Sequence, residues 1–281
     1  MSCKRMFQER KNKSSLETEL TKEIHDKRTM LHCTRPGFTL IELLVVISII
    51  GVLMSILIPS LAKVKEQARR TVCASHMRQF ILGCHAYAGS HDDLLPGGHS
   101  DDQLVHNEVT IMLAEQTRNE LVSLIQDERF LECPSLTSPF ADPNGWFIPG
   151  NGYLIGYNYL GGHRETPWEP VADGTIDPND YEAWVSPRKA SARGNLALVT
   201  ELNTWSTYEY NLYTFAPHGP RGAITENSDS RNSSAGGMRS DKLGAVGGNR
   251  GALDGSVGWQ HIEEMKIRRA TYPFTSCYAM W

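Results

Sequence analysis

An α+β fold is predicted for this chain: one long N-terminal helix, membrane-spanning in its first half and amphipathic in its second, packed on a small antiparallel sheet with long loops. Three observations predict it. Residues 38–58 form an apolar run long enough to cross a bilayer, residues 61–87 repeat apolar side chains at three- or four-residue intervals, and the remainder mixes short strand-like stretches with loops rich in Gly, Pro and Asn.

The first element reads Gly-Phe-Thr-Leu-Ile-Glu-Leu-Leu-Val-Val-Ile-Ser-Ile-Ile-Gly-Val-Leu-Met-Ser-Ile-Leu-Ile-Pro from Gly37 to Pro59, and its one charge is Glu42. At about 1.5 Å per residue, residues 38–58 reach roughly 31 Å as a helix, the thickness of a bilayer's hydrocarbon core. An ionised side chain near the end of a span costs less than one at its centre, yet it still needs a partner. A cut after Gly37 would create one, because a free α-amine on Phe38, with a pKa of about 7.7 to 8.0, is largely protonated at neutral pH.

This arrangement, closed by Pro59, resembles over residues 35–60 the class III signal of type IV prepilins and type II secretion pseudopilins. The resemblance implies that a prepilin peptidase cleaves between Gly37 and Phe38 and N-methylates Phe38, and that Glu42 neutralises a neighbouring subunit's N-terminus during assembly. It also implies a single-pass protein of the inner membrane with a periplasmic head. Its partners would be the peptidase, other pilin-like subunits, an inner-membrane assembly platform and the lipid bilayer. Flanking charge does not set the orientation, since Lys22, Lys27, Arg28 and Arg35 precede the span while Lys63, Lys65, Arg69 and Arg70 follow it. A secretory signal peptide fits less well, for the apolar core is too long and Ile58-Pro59-Ser60-Leu61-Ala62 is a poor Ala-x-Ala site. An uncleaved anchor is the other reading of the run.

Three regions follow: a cleaved cytoplasmic leader at 1–37, a transmembrane and assembly helix at 38–58, and a head at 59–281 that includes the amphipathic half of the helix. The leader carries nine Lys plus Arg against five Asp plus Glu, leaving 19 against 27 beyond it. A basic cytoplasmic leader and an acidic exported head fit the topology, and nothing in the charge favours nucleic acid. Met30 offers an internal start that would leave a leader of eight residues, the ordinary size in the family.

Beyond Pro59, Leu61, Val64, Ala68, Val72, Phe80, Cys84 and Tyr87 form the expected buried stripe, with Lys63, Lys65, Glu66, Arg69 and Arg70 opposite. One helix is expected from 38 to about 87, bent at Pro59 and ended by Gly89, Ser90 and the turn-forming residues 92–98. A second helix is expected within 104–125, on Ile111, Met112, Leu113, Leu121, Leu124 and Ile125, weakened around 117–119. Residues 140–185 should be mostly loop with short strands. Strands are expected at 196–200, 208–215 and 251–259, the last two adjacent across a mobile Gly/Ser-rich excursion at 226–250.

Cys73-Ala-Ser-His-Met-Arg-Gln-Phe, Leu95-Pro96, Phe130-Leu-Glu-Cys133-Pro134-Ser135 and Gly156-Tyr-Asn-Tyr-Leu-Gly-Gly162 resemble a large bacterial family of pilin-like proteins with enlarged heads. Such heads close with a His-x9-Asp-Gly box. Asn249 and Asp254-Gly255-Ser256-Val257 match its end, but Gly244 stands where the His belongs, so only the Asp-Gly turn carries over.

Of the cysteines beyond the leader, Cys73 and Cys84 lie about 16 Å apart on one helix and cannot bond to each other. Disulfides of either with Cys133 or Cys277 remain open, as does Cys84 as a small buried apolar residue. No Cys-x-x-Cys, Gly-x-Ser-x-Gly or His-Glu-x-x-His occurs, so no cofactor, no metal and no catalytic residue is expected. His91 beside Asp92 and Asp93 imitates a catalytic pair but reads better as a solvated helix end. Asp173, Asp177, Asn179, Asp180 and Glu182 offer hard oxygens at spacings that do not match a calcium loop. Trp146, Tyr153, Tyr157, Tyr159, Trp168, Trp184 and Trp205 form either a glycan-binding face or a core.

The function expected is therefore a structural pseudopilin subunit that assembles through its N-terminal helix into a type II secretion or type IV pilus-like filament. The alternatives are a membrane-tethered binder of glycan or surface polymer and, last, a tethered enzyme.

Overall fold

A computed structural model describes residues 39–98, 108–136, 147–170, 176–207, 212–220, 222–227, 236–272 and 277–281. The chain divides into two compact units, Met1–Pro59 and Ser60–Trp281. Helix α1, Leu40–Ser90, belongs to both and carries Pro59 inside it.

In the first unit every described side chain is exposed, including Leu40, Ile41, Leu53 and Ile56. A helix apolar all round and covered by nothing is built for lipid or for other helices. Its polar groups are settled within the helix: Ser48 Oγ donates to Leu44 O at 2.7 Å and Ser55 Oγ to Val52 O at 2.7 Å. α1 is long and apolar enough to cross a membrane.

In the second unit the elements after α1 are β1 (Glu108–Val109), β2 (Met112–Leu113), α2 (Glu115–Ile125), β3 (Phe147–Ile148), β4 (Gly152–Leu154), β5 (Tyr157–Tyr159), β6 (Ala197–Glu201), β7 (Thr204–Ser206), β8 (Tyr213–Gly219), β9 (Gly222–Asn227), β10 (Gly247–Ala252), β11 (Val257–His261), β12 (Ile267–Arg269), β13 (Thr271–Tyr272) and β14 (Cys277–Met280). Among the described residues they pair antiparallel into four sheets, ordered β11-β10-β6-β5, β12-β14-β7-β8-β9, β2-β4-β3 and β1-β13. The α+β reading holds, with small sheets carrying the head.

Where α1 meets the first of these sheets the core begins. Phe80 stacks on Tyr159 of β5 at 5.3 Å and meets Phe130 edge-on at 5.4 Å. His85 Nε2 lies 2.7 Å from Leu253 O in the β10–β11 turn. The buried face of the helix is Cys73, Met77, Phe80, Ile81, Gly83, Cys84 and Ala88, which corrects the expected stripe: Leu61, Val64, Ala68 and Val72 are exposed. Spacings of three and four residues continue through both sets, so periodicity alone could not say where the buried face ends and an outward-facing one begins.

Other expectations also change. The helix expected within 104–125 starts at Glu115 and runs straight through 117–119, while Ile111 to Leu113, counted in its apolar set, lie in a turn and in β2. Residues 104–107 lie outside the described residues. The strand expected over 251–259 is a hairpin, broken where Ala252 N donates to Ser256 O at 2.8 Å and Gly255 takes φ +88° in the Asp-Gly turn. Residues 208–211 lie outside the described residues; β8 and β10 are not ladder neighbours as expected, since β8 pairs with β7 and β9 whereas β10 pairs with β6 and β11. Within the expected excursion, residues 226–227 lie in β9 and 247–250 in β10.

Candidate functional site

Gly37 and Phe38 lie outside the described residues. Glu42 is in the first turn of α1, where Thr39 N and Thr39 Oγ1 donate to its Oε2 at 2.9 and 2.8 Å while Glu42 N donates to Thr39 Oγ1 at 3.2 Å. This reciprocal pair is a capping box: each side chain satisfies a backbone donor that the helix start leaves free. The Thr-x-x-Glu signal stands in the sequence, and the reading of Glu42 as an amine partner alone passed over it. The acid is thus held in place beside the predicted cleavage point by its own helix.

A second polar site lies within the head, where α1, β6, β8, β10 and β11 converge. Glu201, at the end of β6, and His218, on β8, are both buried to within 1% of full enclosure. His218 Nδ1 donates to Glu66 Oε1 at 2.6 Å, and its Nε2 lies 2.9 Å from Glu201 Oε2 but is not aligned for a hydrogen bond. Asn249, on β10, donates to Glu201 twice, from its backbone N to Oε2 and from Nδ2 to Oε1, each at 2.9 Å. Gly248 leaves room beside it, since a Cβ there would crowd Asn203 Nδ2 at 2.9 Å and Glu201 Oε2 at 3.1 Å. Arg70 Nε donates to Glu66 Oε1 at 3.0 Å and its guanidinium covers the Trp259 ring at 3.7 Å. Trp259 in turn meets His218 edge-on at 5.1 Å.

Sulfur completes the set. The Sγ of Cys73, an Oε of Glu201 and a ring nitrogen of His218 lie within 4.8 Å of one another, and Cys133 Sγ is 3.6 Å from Cys73 Sγ. Burial by itself opposes a charge on His218, yet the contacts with Cys73 and Glu201 and the negative charges of Glu201 and Glu66 prevail, so it is pushed up to about 10. The adjacent Cys133 and burial push the Cys73 thiol up, which makes it a poor nucleophile as it stands. Outside this cluster, Lys63, Glu66, Arg70, Arg78, Asn249 and Trp259 line an open cleft of about 600 Å³.

With this geometry established, likeness to known families adds direction. Residues 34–58 match the family described as the prokaryotic N-terminal methylation motif, and residues 62–147 match one described as a protein of unknown function, DUF1559. The two matches are consistent with a pilin-like protein. No curated protein and no solved structure matches the chain. The methylation motif coincides with the exposed apolar part of α1 and with Glu42, while the second match begins in the head and takes in Cys73 and Cys133.

The remaining candidates resolve into structure. His91 stacks on Tyr87 at 3.7 Å and its Nδ1 lies 2.8 Å from Tyr87 O, while Asp92 and Asp93 take φ of +52° and +67° in the turn that ends α1. Asp177 accepts from Asn179 N at 2.8 Å, Asp180 pairs with Arg239 at 2.7 Å and Glu182 with Arg268 at 3.2 Å, so these oxygens are already engaged. Asp173 lies outside the described residues. Tyr157, Tyr159, Trp168, Trp184 and Trp205 are buried and Tyr153 is half-buried, so they do not offer the glycan-binding face; Trp146 is not described. Cys84 is fully buried, and Cys277 Sγ is 2.9 Å from Tyr213 Oη. Gly244, at the position of the family's His, has φ +91°, a conformation that disfavours any side chain.

Sequence reasoning missed Glu201 and His218 altogether. They stand on different strands, and nothing around either residue sets it apart.

Proposed function

We propose that this chain is a structural pilin-like subunit. A prepilin peptidase cleaves between Gly37 and Phe38 and N-methylates Phe38, and the mature protein assembles through α1 into a filament of the type II secretion or type IV pilus kind. The head then stands on the periplasmic side of the inner membrane, and Glu42 neutralises the N-terminal amine of a neighbouring subunit.

The observation that carries this reading is the coincidence, within residues 34–58, of the methylation motif, a helix with every described apolar side chain exposed, and a single acid in its first turn. An apolar surface on all sides is stable only in lipid or among like helices, and a lone carboxylate within it calls for a cation. The exposed Leu61, Val64 and Val72 extend an apolar edge along the head's part of α1, which supports lateral packing of subunits.

N-terminal sequencing of the membrane-extracted protein tests the first step. An N-methylated Phe38 is expected, and any other first residue overturns the subunit reading. Shearing of cells tests the second: the mature chain should co-fractionate with filaments, and its exclusive recovery in the membrane pellet would leave a tethered head.

A further inference from the structure

We propose that the head contains a closed zinc site whose ligands are the Cys73 thiolate, His218 Nε2 and a Glu201 carboxylate oxygen. The three donors come from α1, β8 and β6, lie within 4.8 Å of one another and are all buried. Thiolate, imidazole and carboxylate are the donor types that zinc takes, and a thiolate in the set disfavours calcium and magnesium.

The surroundings have the form of an outer ligand shell. A metal-bound histidine typically donates its other ring N–H to a carboxylate, which fixes the tautomer and aims the remaining lone pair. Glu66 does this for His218 Nδ1 at 2.6 Å and is itself held by Arg70 at 3.0 Å. Nε2 is thereby pointed into the cluster, where it is buried and finds no aligned hydrogen bond. Asn249 fixes both oxygens of Glu201 and leaves each a free lone pair. In a tetrahedral zinc site nitrogen and oxygen ligands stand about 3.4 Å apart. The Nε2 to Oε2 separation of 2.9 Å therefore has to widen only slightly to admit the ion. Cys133 Sγ lies 3.6 Å from Cys73 Sγ but not within 4.8 Å of all three donors, so it would have to move to take a fourth position, which a water fills otherwise.

Charge and protons balance. On binding, the thiol proton and the imidazolium proton leave to solvent, and the divalent ion is neutralised by one thiolate and the Glu201 carboxylate. No redox partner is needed. The three ligands are buried, as in structural zinc sites, and they join α1 to β6 of the four-stranded sheet and to β8 of the five-stranded sheet. It would fasten both larger sheets to the helix, whether or not that helix enters a filament.

Metal analysis of the full-length mature protein, purified in detergent without chelator, is expected to return about one zinc per chain. Cobalt added after chelation should give a thiolate-to-cobalt charge-transfer band that Cys73→Ser abolishes. Should Cys73→Ser fail to fold, Glu66→Gln serves instead: it keeps the three ligands and should retain the band while weakening cobalt affinity about 10- to 100-fold. Intact mass without reductant closes the test. A Cys73–Cys133 disulfide would overturn the proposal, and so would free thiols with no zinc and no cobalt band, which would leave a hydrogen-bonded ion cluster only.

Discussion

Two glutamates divide this molecule between them. Glu42 lies among exposed apolar side chains and is held by Thr39, three residues away, whereas Glu201 is enclosed in the head and is held by Asn249, 48 residues away. The first is met by its own helix turn and keeps its outer side available to an incoming charge. The second has every direction filled by protein. A carboxylate in a sparse setting is positioned for a partner from outside, while one in a dense setting organises the groups around it. The group at the helix end that imitates a catalytic site, His91 with its two aspartates, is neither: its members close a turn.

The sharpest way to break this comparison is to remove the enclosed acid. Glu201→Ala leaves Asn249 without its acceptor and His218 with Glu66 as its one remaining anion, and loss of one member of a buried pair costs about 3–5 kcal/mol. Chemical unfolding of the detergent-solubilised full chain, followed by tryptophan fluorescence, should show a loss of that size. A change within ordinary surface scatter would mean that Glu201 organises nothing.

Glu42→Ala should do the reverse. The unfolding of the head is expected to stay as it was and the mature N-terminus should still be Phe38, but the chain should disappear from the sheared filament fraction. Normal incorporation would remove the pairing role of Glu42 and leave it a helix cap. The smallest effect belongs to Thr39→Ala, which costs the cap about 0.5–2 kcal/mol. Amide exchange over residues 43–45 in micelles should quicken, with processing unaltered. Unchanged exchange would show that Glu42 needs no help from its own helix.

How much could be read in advance follows the same division. The span, its single acid, the long helix and the Asp-Gly turn are written in residues close to one another, and each was legible. So was the Thr-x-x-Glu cap, had Glu42 been read for its helix as well as for its charge. The strands were harder. Every position of β8 is buried, so it shows no alternation, and β10 reads Gly-Gly-Asn-Arg-Gly-Ala, residues with little preference for strands. β10 becomes an inner strand between β6 and β11 because its glycine lets the backbone approach Glu201 and its asparagine binds that acid.

By itself, then, the sequence determined the membrane-length helix, the acid near its start and the α+β class, because these depend on hydrophobicity and on contacts within a turn or two. The tertiary structure alone decided which face of α1 is buried and which residues meet inside the head. His218 finds Glu66 across 152 residues and Cys73 finds Cys133 across 60. Such meetings are set by how strands pair and by what the core encloses, and no local pattern of residue types encodes them.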